Sequence, residues 1–224
     1  MFKKEQLSLV DVLSELDNVQ QLSQLSNYQY YNNLFNKRTV ILNGPIDDTL
    51  IETVFMPLYS FEQDDSDEPV TLFINTCGGD VLSGLKLLPL IDNYKKKLNI
   101  YCLDAFSMGA IIMCAGFNNP NVKKYCYAYS YVLFHDGYNA LEGEAKTVED
   151  LISFNKTLDK KIKEYVLKNT KISRDFYEKH ERKQLFLDAQ EMKDYGIVDE
   201  IIGDYIKLGD EWLWPIVFTI LPLY

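Results

Sequence analysis

Three short β-branched runs, each closed by a turn and followed by an apolar helical pattern, restrict this chain more than any other feature. Thr39-Val40-Ile41-Leu42 ends in Asn43-Gly44-Pro45, Val70-Thr71-Leu72-Phe73-Ile74-Asn75 ends in Thr76-Cys77-Gly78-Gly79-Asp80, and Asn99–Asp104 leads to Ser107. Helical spacing follows each run: through Leu50, Ile51, Val54, Phe55 and Leu58 behind Asp47-Asp48, from Val81 to about Tyr94, and from Met108 to Gly116. Alternation of this kind with short connections buries its apolar faces as a mainly parallel sheet covered by helices, so the expected class is α/β.

Further along, Tyr125–Tyr127 and Tyr131–Phe134 read as strands, the second leading into His135-Asp136-Gly137 and a glycine-containing loop that ends at Gly143. A long helix is expected behind it, with Thr147-x-x-Asp150 as a capping box and an apolar stripe through Val148, Leu151, Ile152, Leu158, Ile162, Tyr165 and Val166. Such a helix either projects and packs on a second copy or lies on its own sheet, and the pattern leaves both open. Ser173 begins a short helix carrying His180, Gln184–Leu187 is strand-like, Asp188-x-x-Glu191 caps a helix ending at Tyr195-Gly196, and Ile197–Ile202 is a last strand. The acidic run Gln63–Pro69 reads as a solvated connection rather than a metal site. Residues 1–37 form a Gln/Asn/Tyr-rich arm in which Leu7–Leu16 fits a short helix, residues 38–203 form the main domain, and residues 204–224 form an apolar tail expected to pack on a groove.

Composition excludes several classes. A net charge of −10 over 224 residues argues against binding nucleic acid or an anionic membrane surface. No apolar run is long enough to span a bilayer, and the N-terminus lacks the apolar core of a secretion signal, so a cytoplasmic protein is expected. Cys77, Cys102, Cys114 and Cys126 have neither C-x-x-C spacing nor a nearby histidine. They read as reduced thiols, mostly buried, and no metal or cofactor is expected.

Ser107 lies between a strand and a compact apolar helix. Its hydroxyl could attack a carbonyl, with the backbone N–H groups of the helix start holding the oxyanion. A serine at that position equally serves as an N-cap. Ligands in parallel sheets meet the carboxyl ends of strands, where Gly78-Gly79, Ser107 and His135 all fall. A nucleophile, a base and a glycine loop at one edge favour catalysis.

From Arg38 to Ile202 the chain resembles the ClpP family, the proteolytic subunit of the ATP-dependent Clp protease. The resemblance rests on Phe73-Ile74-Asn75-Thr76-Cys77-Gly78-Gly79, Ser107-Met108-Gly109-Ala110, Val132-Leu133-Phe134-His135, Gly143-Glu144-Ala145 and Tyr195-Gly196-Ile197-Val198-Asp199, in that order. It implies a crotonase-like fold of repeated β-β-α units in which the helix from Thr147 is a projecting handle. It also implies a serine peptidase of unfolded polypeptides, a homo-oligomer of two stacked heptameric rings, and an ATP-driven unfoldase as partner. Ser107 falls on the family's nucleophile, His135 on its general base, and Gly79 and Met108 on its oxyanion donors. Two positions depart from the family. Gln184 stands where the family has the aspartate of its triad, and Cys77 replaces the usual proline before Gly-Gly. An amide can accept the histidine N–H but offers no charge to the imidazolium, so weakened activity is expected. Asp188 is expected to be committed to its helix cap, and Asp136 to point away from the site. The alternatives are an active peptidase and a catalytically impaired ring subunit with a structural or regulatory role. An acyl-CoA enzyme of the wider fold would leave the Ser107–His135 placement unexplained.

Overall fold

The computed structural model describes residues 29, 31–137, 144–180 and 183–203, with the backbone of two further strands at 206–208 and 211–213. The expected helix at Leu7–Leu16, the loop end at Gly143 and the body of the apolar tail lie outside the described residues. The chain divides into two units, residues 1–39 and residues 40–224. In the first, residues 31–36 are helical and Arg38 turns the chain at φ 52°.

The second unit is a mixed α/β structure around one sheet. Its strands are β1 (Thr39–Asn43, which begins one residue earlier), β2 (Val70–Thr76), β3 (Leu98–Phe106), β4 (Val122–Phe134), β5 (Leu185–Leu187) and β6 (Glu200–Ile202). The order is β1-β2-β3-β4-β5, and β6 also pairs with β4. β3 runs parallel to β2 and β4, β6 parallel to β4, and β5 antiparallel to it. Strands β7 (Ile206–Leu208) and β8 (Glu211–Leu213) form a separate antiparallel pair. The helices are α1 (Asp48–Gln63), α2 (Val81–Leu85), α3 (Leu87–Asp92), α4 (Met108–Cys114), α5 (Ala145–Lys168), α6 (Arg174–His180) and α7 (Ala189–Asp194).

Local chemistry accounts for most element ends. Asp47 caps α1 by accepting the Leu50 N–H at 2.7 Å, and Ile51, Val54, Leu58 and Phe61 form its buried stripe. The Asp188–Glu191 capping box opens α7, and Gly196 follows its end at φ 70°. The acidic connection after α1 is pinned rather than free, because the Lys96 ammonium ties to Asp64 and to Ser66 O at 2.8 Å each.

Four expectations need correction. The helix expected from Val81 to Tyr94 breaks at Lys86 into α2 and α3. Pro89 has no N–H to give Leu85, and its ring crowds that carbonyl. Thr147 does not cap α5: the helix already includes it, Glu144 O accepts the Val148 N–H, and the Glu144 side chain makes no capping bond. The two strands expected at 125–127 and 131–134 are one strand, β4. Its register with β3 jumps between the pairs Cys102–Cys126 and Asp104–Tyr131, and Ser130 bridges the irregularity by donating to Cys102 O. The last strand is shorter than expected, because the Ile197 and Val198 N–H groups turn back to Met192 O in α7 instead of joining the sheet.

Helix α5 resolves the open question about its placement. From residue 145 to 154 every residue but Val148 is exposed, including Leu151, Ile152 and Phe154. Only Val166, near its end, is buried, so the first half stands clear of the sheet. Among the described residues, no helix is long and apolar enough to cross a membrane.

Candidate active site

Ser107 sits where β3 gives way to α4. Its N–H donates to Leu133 O at 2.8 Å, which continues the β3–β4 ladder by one rung. The chain then turns at φ 55°, ψ −119°, and α4 begins. A side-chain-bearing residue adopts that region at a cost of about 1–3 kcal/mol. Close neighbours hold it there. Gly78, at φ 89°, lies against the turn so closely that a Cβ would stand 2.6 Å from both Phe106 O and Ser107 Cβ. Gly109 meets the Thr76 methyl with no room for a side chain.

The N-cap reading of Ser107 fails. The residue occupies the capping position, and its carbonyl accepts the Ala110 N–H at 3.0 Å, but its side chain makes no capping bond. The half-buried hydroxyl instead lines a cavity of about 430 Å³ that is shared with His135.

Donors surround the same turn. The Met108 and Gly109 N–H groups precede any acceptor inside α4. Ile46 pairs with the glycine loop by donating to Gly78 O and accepting from the Asp80 N–H, both at 2.8 Å. That pattern turns the intervening Gly79 N–H to the other side, where it meets no acceptor among the described residues.

His135 leaves β4 at the same edge. The β4–β5 register pairs Val132 with Leu187, Leu133 with Phe186 and Phe134 with Leu185. Gln184 precedes Leu185 on β5 and His135 follows Phe134 on β4, so the two flank the last pair of the ladder. Phe186 packs edge-on against Phe106 at 6.2 Å, tying β5 to the strand that delivers Ser107. His135 is exposed, and among the described residues it makes no hydrogen bond to Ser107 or Gln184.

Asp188 and Asp136 lie close in sequence to Gln184 and His135. Asp188 accepts the Glu191 N–H at 2.9 Å as a cap. Asp136 is exposed and, against the expectation that it points away, lines the same cavity as Ser107 and His135. His180, the other histidine, has Nδ1 2.7 Å from Phe176 O.

The sequence reading missed part of the cavity wall. Asp159 and Lys163, one turn apart on α5, line it with Ile162 and with Tyr177 of α6. Lys163 also pairs with Glu178 at 3.0 Å. Ile162 belonged to the apolar stripe already noted. Asp159, Lys163 and Tyr177 carry no local signal, since the sheet edge brings them in from far along the chain.

Cys102, Cys114 and Cys126 are buried and Cys77 is exposed, all as free thiols. Burial pushes the Cys114 and Cys126 thiols up to about 12 and Cys102 well above its ordinary value, so these three stay protonated and inert. Among the described residues no group of three or more His, Cys, Asp or Glu is placed to hold a metal ion.

Compared with known families, residues 22–205 of the chain match the family model described as Clp protease.

Proposed function

The chain belongs to the Clp protease family, and from that premise we propose a serine-type endopeptidase acting on unfolded polypeptides. Ser107 is the nucleophile, His135 the general base, Gln184 the neutral third member, and the Gly79 and Met108 N–H groups the oxyanion donors. One observation carries the reading. Ser107 is held in a costly backbone conformation, makes no capping bond, and opens on the cavity that His135 lines. A serine serving only structure would gain nothing from that conformation.

In this reading the Ser107 Oγ attacks the scissile carbonyl while His135 takes its proton. The oxyanion forms against the Gly79 and Met108 donors. His135 then protonates the leaving amine, and water activated by His135 releases the acyl group. Gln184 can accept the second imidazole N–H and fix the ring, but it supplies no negative charge to the imidazolium.

The exposed Leu151, Ile152 and Phe154 of α5 support contact with another copy of the chain. We extend the proposal to a ring-forming homo-oligomer, stacked in two heptamers, fed by an ATP-driven unfoldase in the cytoplasm. The peptidase unit spans residues 38–203, flanked by the arm and the apolar tail. A second reading, a catalytically impaired ring subunit, draws on the absence of a hydrogen bond from His135 to either partner.

Hydrolysis of a fluorogenic peptide by the size-selected oligomer separates the two. The expected result is slow turnover in wild type and none in Ser107→Ala. Gln184→Asp should turn over faster, by a factor bounded at about 10⁴. Activity surviving Ser107→Ala refutes the assignment. Silence in all three proteins, with failure of a serine-directed covalent probe to label Ser107, establishes the impaired subunit.

A further inference from the structure

Beyond the far end of α4 from Ser107 lies a second cavity, of about 230 Å³, lined by Lys124, Lys171, Lys193 and Asp199 together with Gly116 and Gly196. Lys124 is only 2% exposed. Its ammonium donates to Met113 O at 2.9 Å and lies 6.0 Å from the centre of the Phe117 ring. No carboxylate stands within ion-pair distance of it among the described residues. The nearest acids are engaged elsewhere. Asp92 accepts the Gly116 N–H at 2.7 Å and the Tyr165 O–H at 2.8 Å, and Asp199 accepts the backbone N–H of Lys124 itself at 2.8 Å.

A buried ammonium normally has a counter-charge, or acceptors for its three N–H bonds. One carbonyl is too little for Lys124. The remainder of the cavity is equally one-sided. Lys171 and Lys193 are exposed at its rim, and the Lys171 stem passes Gly196 so closely that a Cβ there would sit 3.4 Å away. The lining carries three lysines against one aspartate, an excess of two positive charges in a chain whose net charge is −10.

We propose that this cavity is a binding site for a dianionic oxyanion of the phosphate class, which accepts from Lys124 at its floor and from Lys171 and Lys193 at its rim. The charge matches the excess of the lining, and the volume admits a phosphoryl group with room for a small substituent. Burial holds the Lys124 ammonium below its ordinary pKa, and a bound dianion opposes that shift.

The experiment uses the full-length oligomer in chloride buffer at fixed ionic strength, titrated with inorganic phosphate. Melting temperature is read by calorimetry and binding by the ³¹P linewidth. A saturable rise in melting temperature is expected, with parallel ³¹P broadening. The Lys171→Ala/Lys193→Ala variant should melt near wild type without phosphate but bind at least about tenfold more weakly. Lys124→Met should lose the remaining response. A monoester, glycerol 1-phosphate, runs alongside. Tighter binding than phosphate assigns the natural ligand to a phosphorylated small molecule, and equal or weaker binding to free phosphate. An effect reproduced by chloride alone, or retained in full by the double rim variant, overturns the proposal.

Discussion

The two ends of α4 are built to opposite plans. At its start the Met108 and Gly109 N–H groups have no acceptor within the helix, and the residue before them is held in a costly conformation. At its end nearly everything is engaged. Met113 O takes the Lys124 ammonium, the Cys114 thiol donates to Ala110 O, the Ala115 N–H returns to Ile112 O, and the Gly116 N–H reaches Asp92. All seven helical residues between the two ends are buried. The difference shows a division of labour within one short element: the closed end and the buried flank fix the helix, and this lets the open end keep its strain and its unused donors.

The sharpest way to break that contrast is Ser107→Gly. Peptide hydrolysis should fall to background, while chemical denaturation should show a gain of about 1 kcal/mol, because glycine adopts φ 55° freely. A variant no more stable than wild type would mean that the open end stores no strain. Gly78→Ala should act the other way. Its Cβ meets backbone and Ser107 Cβ at 2.6 Å, so the elbow must shift. We expect the rate of Ser107 labelling by a covalent probe to drop at least about 10²-fold, with a stability loss of about 2–3 kcal/mol. Labelling at the wild-type rate would show that the glycine loop does not position the nucleophile.

Much of the fold was legible because its signals are local. Asp47 and the Asp188–Glu191 pair announce helix starts within four residues, and the β-branched runs mark β1, β2 and β3 in place. The break at Lys86 was missed: Pro89 marks it, but Pro57 lies inside α1 without breaking that helix, so the proline alone did not decide. Thr147 misled because a capping pattern two residues inside a helix looks the same in sequence as one at its start. The site was legible in its chemistry but not in its mechanics. Whether Ser107 caps or attacks depends on one backbone angle, and that angle is set by Gly78 and Gly109 packing against β3 and Thr76, not by the neighbours of Ser107 in the chain. The cavity wall from α5 and α6, and the three lysines of the second cavity, come together only through the sheet.

The closed end should answer to stability and not to turnover. Asp92→Ala removes the acceptor of the buried Gly116 N–H and of the Tyr165 hydroxyl, a loss of about 2–4 kcal/mol in urea denaturation. Peptide hydrolysis at a temperature where the variant is folded should stay within about twofold of wild type, since no atom of Asp92 lines the Ser107 cavity. A parallel collapse of kcat would mean that the two ends are mechanically coupled and that the division of labour is false.

The smallest effect expected is a slope. Burial at the closed end raises the Cys114 thiol from 9.0 to about 12 in the folded protein. The folded state therefore keeps a proton that the unfolded chain releases, so this contribution to stability is intact below pH 9 and is lost as pH rises from 9 towards 12. Half a unit above the unfolded value the loss from one thiol is still under about 1 kcal/mol, so the useful quantity is the difference in slope between wild type and Cys114→Ala. Wild type should lose stability more steeply above pH 9, and the variant should retain the weaker decline owed to Cys102 and Cys126. Ser107→Gly should leave the slope unchanged, because its change is confined to the open end. If instead Cys114→Ala and wild type decline in parallel, water reaches that thiol in the folded state, and the end of α4 that Lys124 contacts from β4 is not closed.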